Sequence, residues 1–470
     1  MPSRGDIVLG NTKGKDLFLP LRYANRHGLI SGATGSGKTV TVQLLAEQFS
    51  KAGVSVILPD IKGDLTGLAR PGEFSLQIQE ALVKRDQIEP QWARNPVRLW
   101  SVGSFPKSAT NLQTSLQTFG PLLLANILGL NEIQTSLLQI VFRIVREKNA
   151  VVKDLVGLRE FIGWIQKNRA NLTSEYGAIS ENSLAVLIRE LLVLDEQAAG
   201  KFITGFDTPL SDLITESETL GVINLIDATQ LLRNPELYAC MFCWLITRLY
   251  EELPEVGDLP QPKLVIFIDE AHLLFETLGK SLQENLQRIV RLIRSRGVGV
   301  YFSTQLPTDL PDSVLAQLGH RVQHVLRAFT PRDKKAVSVS AQTMRPNPAF
   351  NMETAITSLA PGEGLVSFLD GDGVPSVTQR VWISVPASFI GKGGSDSIFL
   401  HAIESKSTLN VRDALISNSR DFKDSPTVEV IRESSMFQSF NSSPSLSGSV
   451  TEAIFNGLFV TLRWIMRLKK

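Results

Sequence analysis

Two kinds of hydrophobic pattern alternate along this chain. Continuous apolar runs at 54–60, 97–102, 221–227, 264–268 and 298–303 have the length and composition of strands buried on both faces. Between them, apolar residues recur at helical spacing. A helix-compatible run at 40–51 follows the short apolar run Gly28-Leu29-Ile30. Further on, Ile133, Leu137, Ile140, Val141 and Ile144 form one apolar face, with Asn131 placed as the cap and Gln134 three residues later. A second helix of this kind opens at Ser180 and carries Leu184, Leu187, Ile188, Leu191 and Leu194. Helices are also predicted up to Leu253 and over 282–296, and strands at 16–20, 321–327, 364–369 and 377–383. The whole predicts an α/β fold with a mostly parallel central sheet and a helical insertion at 111–210.

Chemistry enters where the buried runs end, because ligands bind beyond the C-terminal ends of strands in open parallel sheets. After Gly28-Leu29-Ile30 comes Gly32-Ala33-Thr34-Gly35-Ser36-Gly37-Lys38-Thr39, which fits G-x-x-x-x-G-K-[ST] at every fixed position. Glycines let successive backbone N–H groups turn inward onto phosphate oxygens, and the helix beginning near Val40 adds its positive end. Lys38 reaches the outer phosphates, and the Thr39 hydroxyl is a ligand for Mg²⁺. A nucleoside triphosphate, ATP with Mg²⁺, is the expected ligand of Gly32 to Val40.

The run at 264–268 ends in Asp269-Glu270-Ala271-His272. Asp269 suits a second Mg²⁺ contact, and Glu270 stands where a water would be activated by a general base. The run at 298–303 leads into Thr304-Gln305, and Gln305 is expected to sense the terminal phosphate. Asp60, at the end of its strand, suits either an approach to the metal or a turn cap. His272 is expected to pack or cap. Of the arginines at 282–296, Arg288 and Arg291 read as a solvated face, whereas Arg294 and Arg296 stand where the helix ends.

Composition narrows the classes. A net charge of +1 gives no global field for polyanions, so nucleic-acid contact must come from local patches. No apolar signal core or membrane-length run occurs. Cys240 and Cys243 lie in the apolar run 239–245 and read as core rather than as a redox or zinc pair, which fits a cytoplasmic location. Residues 391–450 hold 15 serines and read as a flexible linker; 451–470 read as a basic amphipathic helix that docks on a protein partner or a membrane surface. The expected organisation is an ATPase core over 1–110 and 211–390, with the insertion between.

With these motifs in order, the chain resembles the HerA–FtsK superfamily of P-loop motor ATPases, most nearly a bacterial HerA-like branch. Asn25-Arg26-His27-Gly28-Leu29-Ile30, Asp60-Ile61-Lys62-Gly63-Asp64-Leu65, Arg294-Ser295-Arg296-Gly297 and Arg321-Val322-Gln323-His324 carry the resemblance beside the two nucleotide motifs. It implies a RecA-like fold, homohexameric rings and a helicase or translocase acting on double-stranded DNA. It also implies Asp269 and Glu270 as the metal and base carboxylates and Gln305 as sensor. Arg294 is implied as an arginine acting on a neighbour's nucleotide with Arg296 in reserve, and Arg26 as a further nucleotide contact. The alternative is a related P-loop ATPase acting on a protein or membrane-surface partner. A small-molecule kinase is disfavoured, because a carboxylate placed to activate water favours hydrolysis.

Overall fold

The computed structural model describes residues 6–12, 14–102, 109–214, 220–370 and 372–393. All of them belong to one compact unit, Met1–Leu400. Most of the serine-rich segment and the whole basic helix expected at 451–470 lie outside the described residues.

The strands are β1 (Ile7–Thr12), β2 (Lys15–Leu19), β3 (Gly28–Ser31), β4 (Ser55–Asp60), β5 (Val97–Ser101), β6 (Thr110–Asn111), β7 (Ile223–Asp227), β8 (Leu264–Ile268), β9 (Val298–Thr304), β10 (His320–Gln323), β11 (Glu363–Ser367) and β12 (Gln379–Ile383). They form one twelve-stranded sheet in the order β2-β1-β12-β11-β10-β3-β9-β8-β4-β7-β5-β6. From β10 to β6 every pairing is parallel; β11, β12, β1 and β2 continue the sheet antiparallel. The strand expected at 16–20 is β2, which pairs with β1 as a hairpin at the sheet's edge, and the RecA-like expectation of a mostly parallel sheet holds.

Both faces of the parallel part are covered, which is why its strands read as unbroken apolar runs. Along β8, Val265 and Phe267 enter one core with Leu45 and Phe49 of the helix Lys38–Lys51. Leu264, Ile266 and Ile268 enter the opposite core with the helix Pro235–Glu252. That helix is buried almost throughout. Cys240 and Cys243 are free and at most 1% exposed, and burial pushes the Cys243 thiol up to about 12. They are core residues, as their apolar context predicts.

The helical block lies between β6 and β7. Its caps follow local chemistry: Asn131 and Gln134 form a capping box, and Ser180 Oγ accepts from Ser183 N–H. Leu137, Val141 and Ile144 are buried, but Ile133 is 73% exposed. It stands in the first turn, ahead of where the helix meets its neighbours. β10 is shorter than the run at 321–327, because the chain leaves the sheet after Gln323 to back the nucleotide loop.

Candidate functional site

Since β3, β4, β8 and β9 are mutually parallel, the segments following them share one edge of the sheet. That edge carries Gly32–Thr39 after β3, Asp60 at the end of β4, Asp269 and Glu270 after β8, and Gln305 after β9. The structure therefore brings together residues that the sequence separates by more than two hundred positions.

The loop 32–37 is a preformed cradle. Gly32, Gly35 and Gly37 have φ values of 155°, 75° and 109°. A Cβ on Gly32 would lie 2.5 Å from His324 Cβ, so both the backbone angle and the space demand glycine. β10 supports the loop from behind. Ala33 N–H donates to the Val325 carbonyl at 2.8 Å and His324 N–H to that of Ser31 at 2.7 Å. Ser31 Oγ donates to Gln323 Oε1 at 2.6 Å. The His324 ring bridges the Glu363 carbonyl through Nδ1 at 2.8 Å and Thr41 Oγ1 through Nε2 at 2.9 Å. Nδ1 is therefore the protonated nitrogen and Nε2 the acceptor. Burial, followed by the charge of Lys38, lowers His324 to about 4 and keeps it neutral.

Lys38 is 8% exposed, and its ammonium turns back onto the carbonyls of Gly32 and Ala33. Burial lowers its pKa against the raising effect of Glu270 and Asp269. Ser36 Oγ is buried with no hydrogen-bond partner. A cationic side chain folded onto its own loop, an unpartnered hydroxyl and inward-curled glycines fit a triphosphate.

Asp269 is fixed from the neighbouring strand: Ser303 Oγ donates to its Oδ1 at 2.7 Å. Tyr238 OH, from the helix Pro235–Glu252, donates to the Asp269 carbonyl at 2.6 Å. Burial raises the Asp269 carboxyl, opposed by the Ser303 bond and by Lys62. A half-buried carboxylate with one fixed oxygen, on the same sheet edge as the Thr39 hydroxyl, suits a hard divalent cation such as Mg²⁺. Glu270 has φ 46°, one of few non-glycine residues in the left-handed region. Such a conformation costs about 1–3 kcal/mol and persists where the surroundings impose it. Its Oε1 is 2.9 Å from Lys62 Nζ, and its Oε2 is 3.6 Å from His272 Nδ1. Burial raises Glu270, but the bond and charge of Lys62 outweigh it and hold the carboxylate below its ordinary range. His272 thus faces Glu270 rather than merely packing. Gln305 is exposed at the tip of β9. Asp60 serves as the turn cap: its carboxylate accepts from Asp64 N–H at 3.0 Å and Leu65 N–H at 3.2 Å. Burial raises it to about 6.

The arginines stand elsewhere. Arg26 precedes β3, and Arg294 and Arg296 precede β9, so they mark the opposite edge of the sheet. β3 separates the two edges by about 13 Å, at about 3.3 Å per residue. At the far edge Arg26, Arg291, Arg294, Arg321 and Arg345 line one open cleft of about 710 Å³, and no Asp or Glu is among the described residues lining it. Arg291 is exposed, as a solvated face predicts, and it also lines this cleft. Arg288 behaves as expected, exposed and bonded to Asn285. Arg296 is spoken for by its own chain: Nη1 donates to the Leu253 carbonyl at 2.8 Å, and Nη2 is 3.5 Å from Glu255. Neither Arg26 nor Arg294 can reach its own chain's loop 32–37 across the sheet.

Sequence reasoning assigned no role to Ser303, Tyr238, Lys62, Gln323 or His324. Ser303 and Lys62 sit in stretches already read as strand exits, so parallel neighbours could have suggested them. Tyr238 reaches Asp269 from a helix and leaves no local signal.

Residues 6–418 match the family described as Helicase HerA-like C-terminal. The DNA double-strand break repair helicase HerA of Saccharolobus solfataricus is 24% identical over 379 residues, covering 77% of this chain and 66% of that protein. That of Sulfolobus acidocaldarius is 24% identical over 375 residues, covering 77% and 67%. The chain thus spans about two thirds of the length of these curated relatives. Among solved structures, plasmid coupling protein TrwB in complex with ADP and Mg²⁺ aligns with TM-score 0.54 at 16% identity, covering 78% of this chain and 87% of that one. VirB4 of Thermoanaerobacter pseudethanolicus aligns with TM-score 0.52 at 15% identity, covering 82% and 98%. At such identity the likeness is one of fold.

Proposed function

The chain belongs to the HerA-like helicase C-terminal family, and on that footing we propose that it is an ATP-hydrolysing ring motor, a HerA-like translocase or helicase of duplex DNA. The observation that carries the reading is the convergence of Lys38, Asp269 and Glu270 on one sheet edge, around a cradle of inward-curled glycines. Lys38 and the loop Gly32 to Val40 bind the triphosphate, through amides other than those of Gly32 and Ala33, which donate to the Thr304 and Val325 carbonyls. Thr39 and Asp269 hold Mg²⁺, which when bound offsets phosphate charge. Ser303 keeps Asp269 aimed at it. Glu270 accepts a proton from the attacking water, and Gln305 reads the terminal phosphate.

The arginine cleft supports assembly. One chain cannot bring Arg294 to its own nucleotide, but like-oriented copies in a closed ring set the far edge of one against the loop edge of the next. Arg294 then stabilises charge on the neighbour's transferring phosphoryl group, with Arg26 beside it. A homohexamer is the ring implied by the family resemblance.

Among the described residues no helix is long and apolar enough to cross a membrane. The test is ATP hydrolysis by the purified chain with and without duplex DNA, at low and high salt, alongside its mass in solution. A ring-sized species stimulated by duplex, the more so at low salt, supports the DNA motor. A hydrolysing ring indifferent to DNA at low salt removes DNA and leaves the net charge of +1 to favour a protein or membrane-surface partner. An inactive wild-type chain overturns the reading.

A further inference from the structure

Glu270 is engaged by a cation from a neighbouring loop, with Lys62 Nζ 2.9 Å from its Oε1. Lys62 lies in the loop after β4, and β4 and β8 are adjacent parallel strands. The loop and Glu270 therefore leave the sheet side by side. Asp60 anchors the loop from beneath through the Asp64 and Leu65 N–H groups, and Gly63 makes the turn at φ 72°. The Lys62 side chain is 44% exposed, whereas that of Glu270 is 10% exposed. A solvent-facing cation thus reaches in to a carboxylate that cannot reach out.

Among the described residues five charged or titratable groups interact with Glu270: Lys62, His272, Lys38, Asp269 and Tyr238. Among the described residues Lys62 is the one that hydrogen-bonds its carboxylate, through Oε1; Oε2 has no hydrogen-bond partner. An ammonium on Oε1 occupies an acceptor site that a water approaching Glu270 would otherwise use. Meanwhile the exposed ammonium is open to competition from phosphate groups outside.

Resting on the reading of Glu270 as the hydrolytic base, we infer that Lys62 is a positioning residue that latches Glu270 in the resting subunit and is drawn off by a polyanion, the phosphate backbone of the duplex. The latch makes hydrolysis slow until the track is engaged. No bond forms or breaks; the ammonium exchanges a carboxylate for a phosphate oxygen.

The experiment compares wild type, Lys62→Met, Lys62→Arg and Glu270→Gln for ATP turnover with and without duplex DNA, with kcat and KM for ATP determined separately. Lys62→Met is expected to raise the DNA-free kcat about tenfold with KM for ATP little changed, and to abolish further stimulation. Lys62→Arg keeps a cation and should retain the low basal rate. Any other pattern overturns the latch; loss of turnover with and without DNA would make Lys62 a cation required for the reaction instead. If wild type does not hydrolyse ATP, or Glu270→Gln hydrolyses it normally, the reading of the site itself fails and the latch falls with it.

Discussion

The two edges of the parallel sheet are built from the same strands yet carry opposite chemistry. At the C-terminal edge, Lys38, Lys62, Asp269, Glu270 and His272 form a balanced cluster around a glycine cradle. At the N-terminal edge, five arginines line a cleft that no described carboxylate shares. Burial lowers Arg321 to about 10 with no acid to offset it. A cluster that satisfies its own charges is finished within one chain. A cluster of one sign is completed by something brought to it. The first edge holds and activates; the second waits for an anion, which the proposed ring supplies as the next copy's nucleotide.

The contrast is testable from each side. The largest expected effect is at the activating edge. Lys38→Ala should lose ATP binding and turnover together, whereas Glu270→Gln should lose about 10²–10⁴ in turnover while still binding ATP. Equilibrium binding of a fluorescent ATP analogue separates the two. Loss of binding in Glu270→Gln would show that the roles are divided wrongly.

Next comes the waiting edge. Arg294→Ala should bind ATP normally but lose about 10³-fold in turnover, at the low end for arginines supplied in trans. Mixed rings of Arg294→Ala and Lys38→Ala subunits should recover part of the activity, since each mutant supplies the edge that the other lacks. No recovery on mixing would mean that the far edge does not act on a neighbour. A smaller effect is expected at the support of Asp269. Ser303→Ala should raise the Mg²⁺ concentration needed for half-maximal hydrolysis about 10–100-fold, as loss of an outer-shell partner does. A magnesium titration of the rate reads it directly.

The smallest contrast lies in acid stability, because both edges bury neutral histidines. His27 and His320 at one edge and His324 at the other are each lowered to about 4, chiefly by burial. Between about pH 6.5 and 4 the unfolded chain binds protons that the folded chain refuses. Stability therefore rises with pH across that window and is lost as pH falls through it, by at most about 3 kcal/mol per histidine. Above neutrality these groups contribute no slope. Thermal unfolding followed from pH 8 to pH 4 checks this; a flat profile below pH 6.5 would contradict the neutral tautomer derived for His324.

Much of the site was legible because its signals are local. The glycine spacing before Lys38-Thr39 and the apolar run before Asp269-Glu270 state their chemistry within a few residues. The caps at Asn131 and Ser180 are local hydrogen-bond preferences and are found where expected. Arg291 reads as an exposed helix position and is exposed; what its neighbours in sequence could not show is the cleft it shares with Arg321 of β10 and Arg345. Asp60 was open between two roles, and only the positions of the Asp64 and Leu65 amides decided for the turn. Lys62 was visible in a strand-exit loop, but its partner depends on β4 lying beside β8.

Sequence alone marked most of the strands, many of their helical partners and the residues proposed to bind phosphate, metal and water, since each is encoded by periodicity or spacing over short distances. Tertiary structure decided which of these residues meet. Strand order placed Lys62 against Glu270 and Ser303 against Asp269, and parallel direction sent Arg26 and Arg294 to the edge away from their own nucleotide loop. Those relations arise from long-range pairing, in which every strand's neighbour is fixed by the packing of the whole sheet rather than by its own residues.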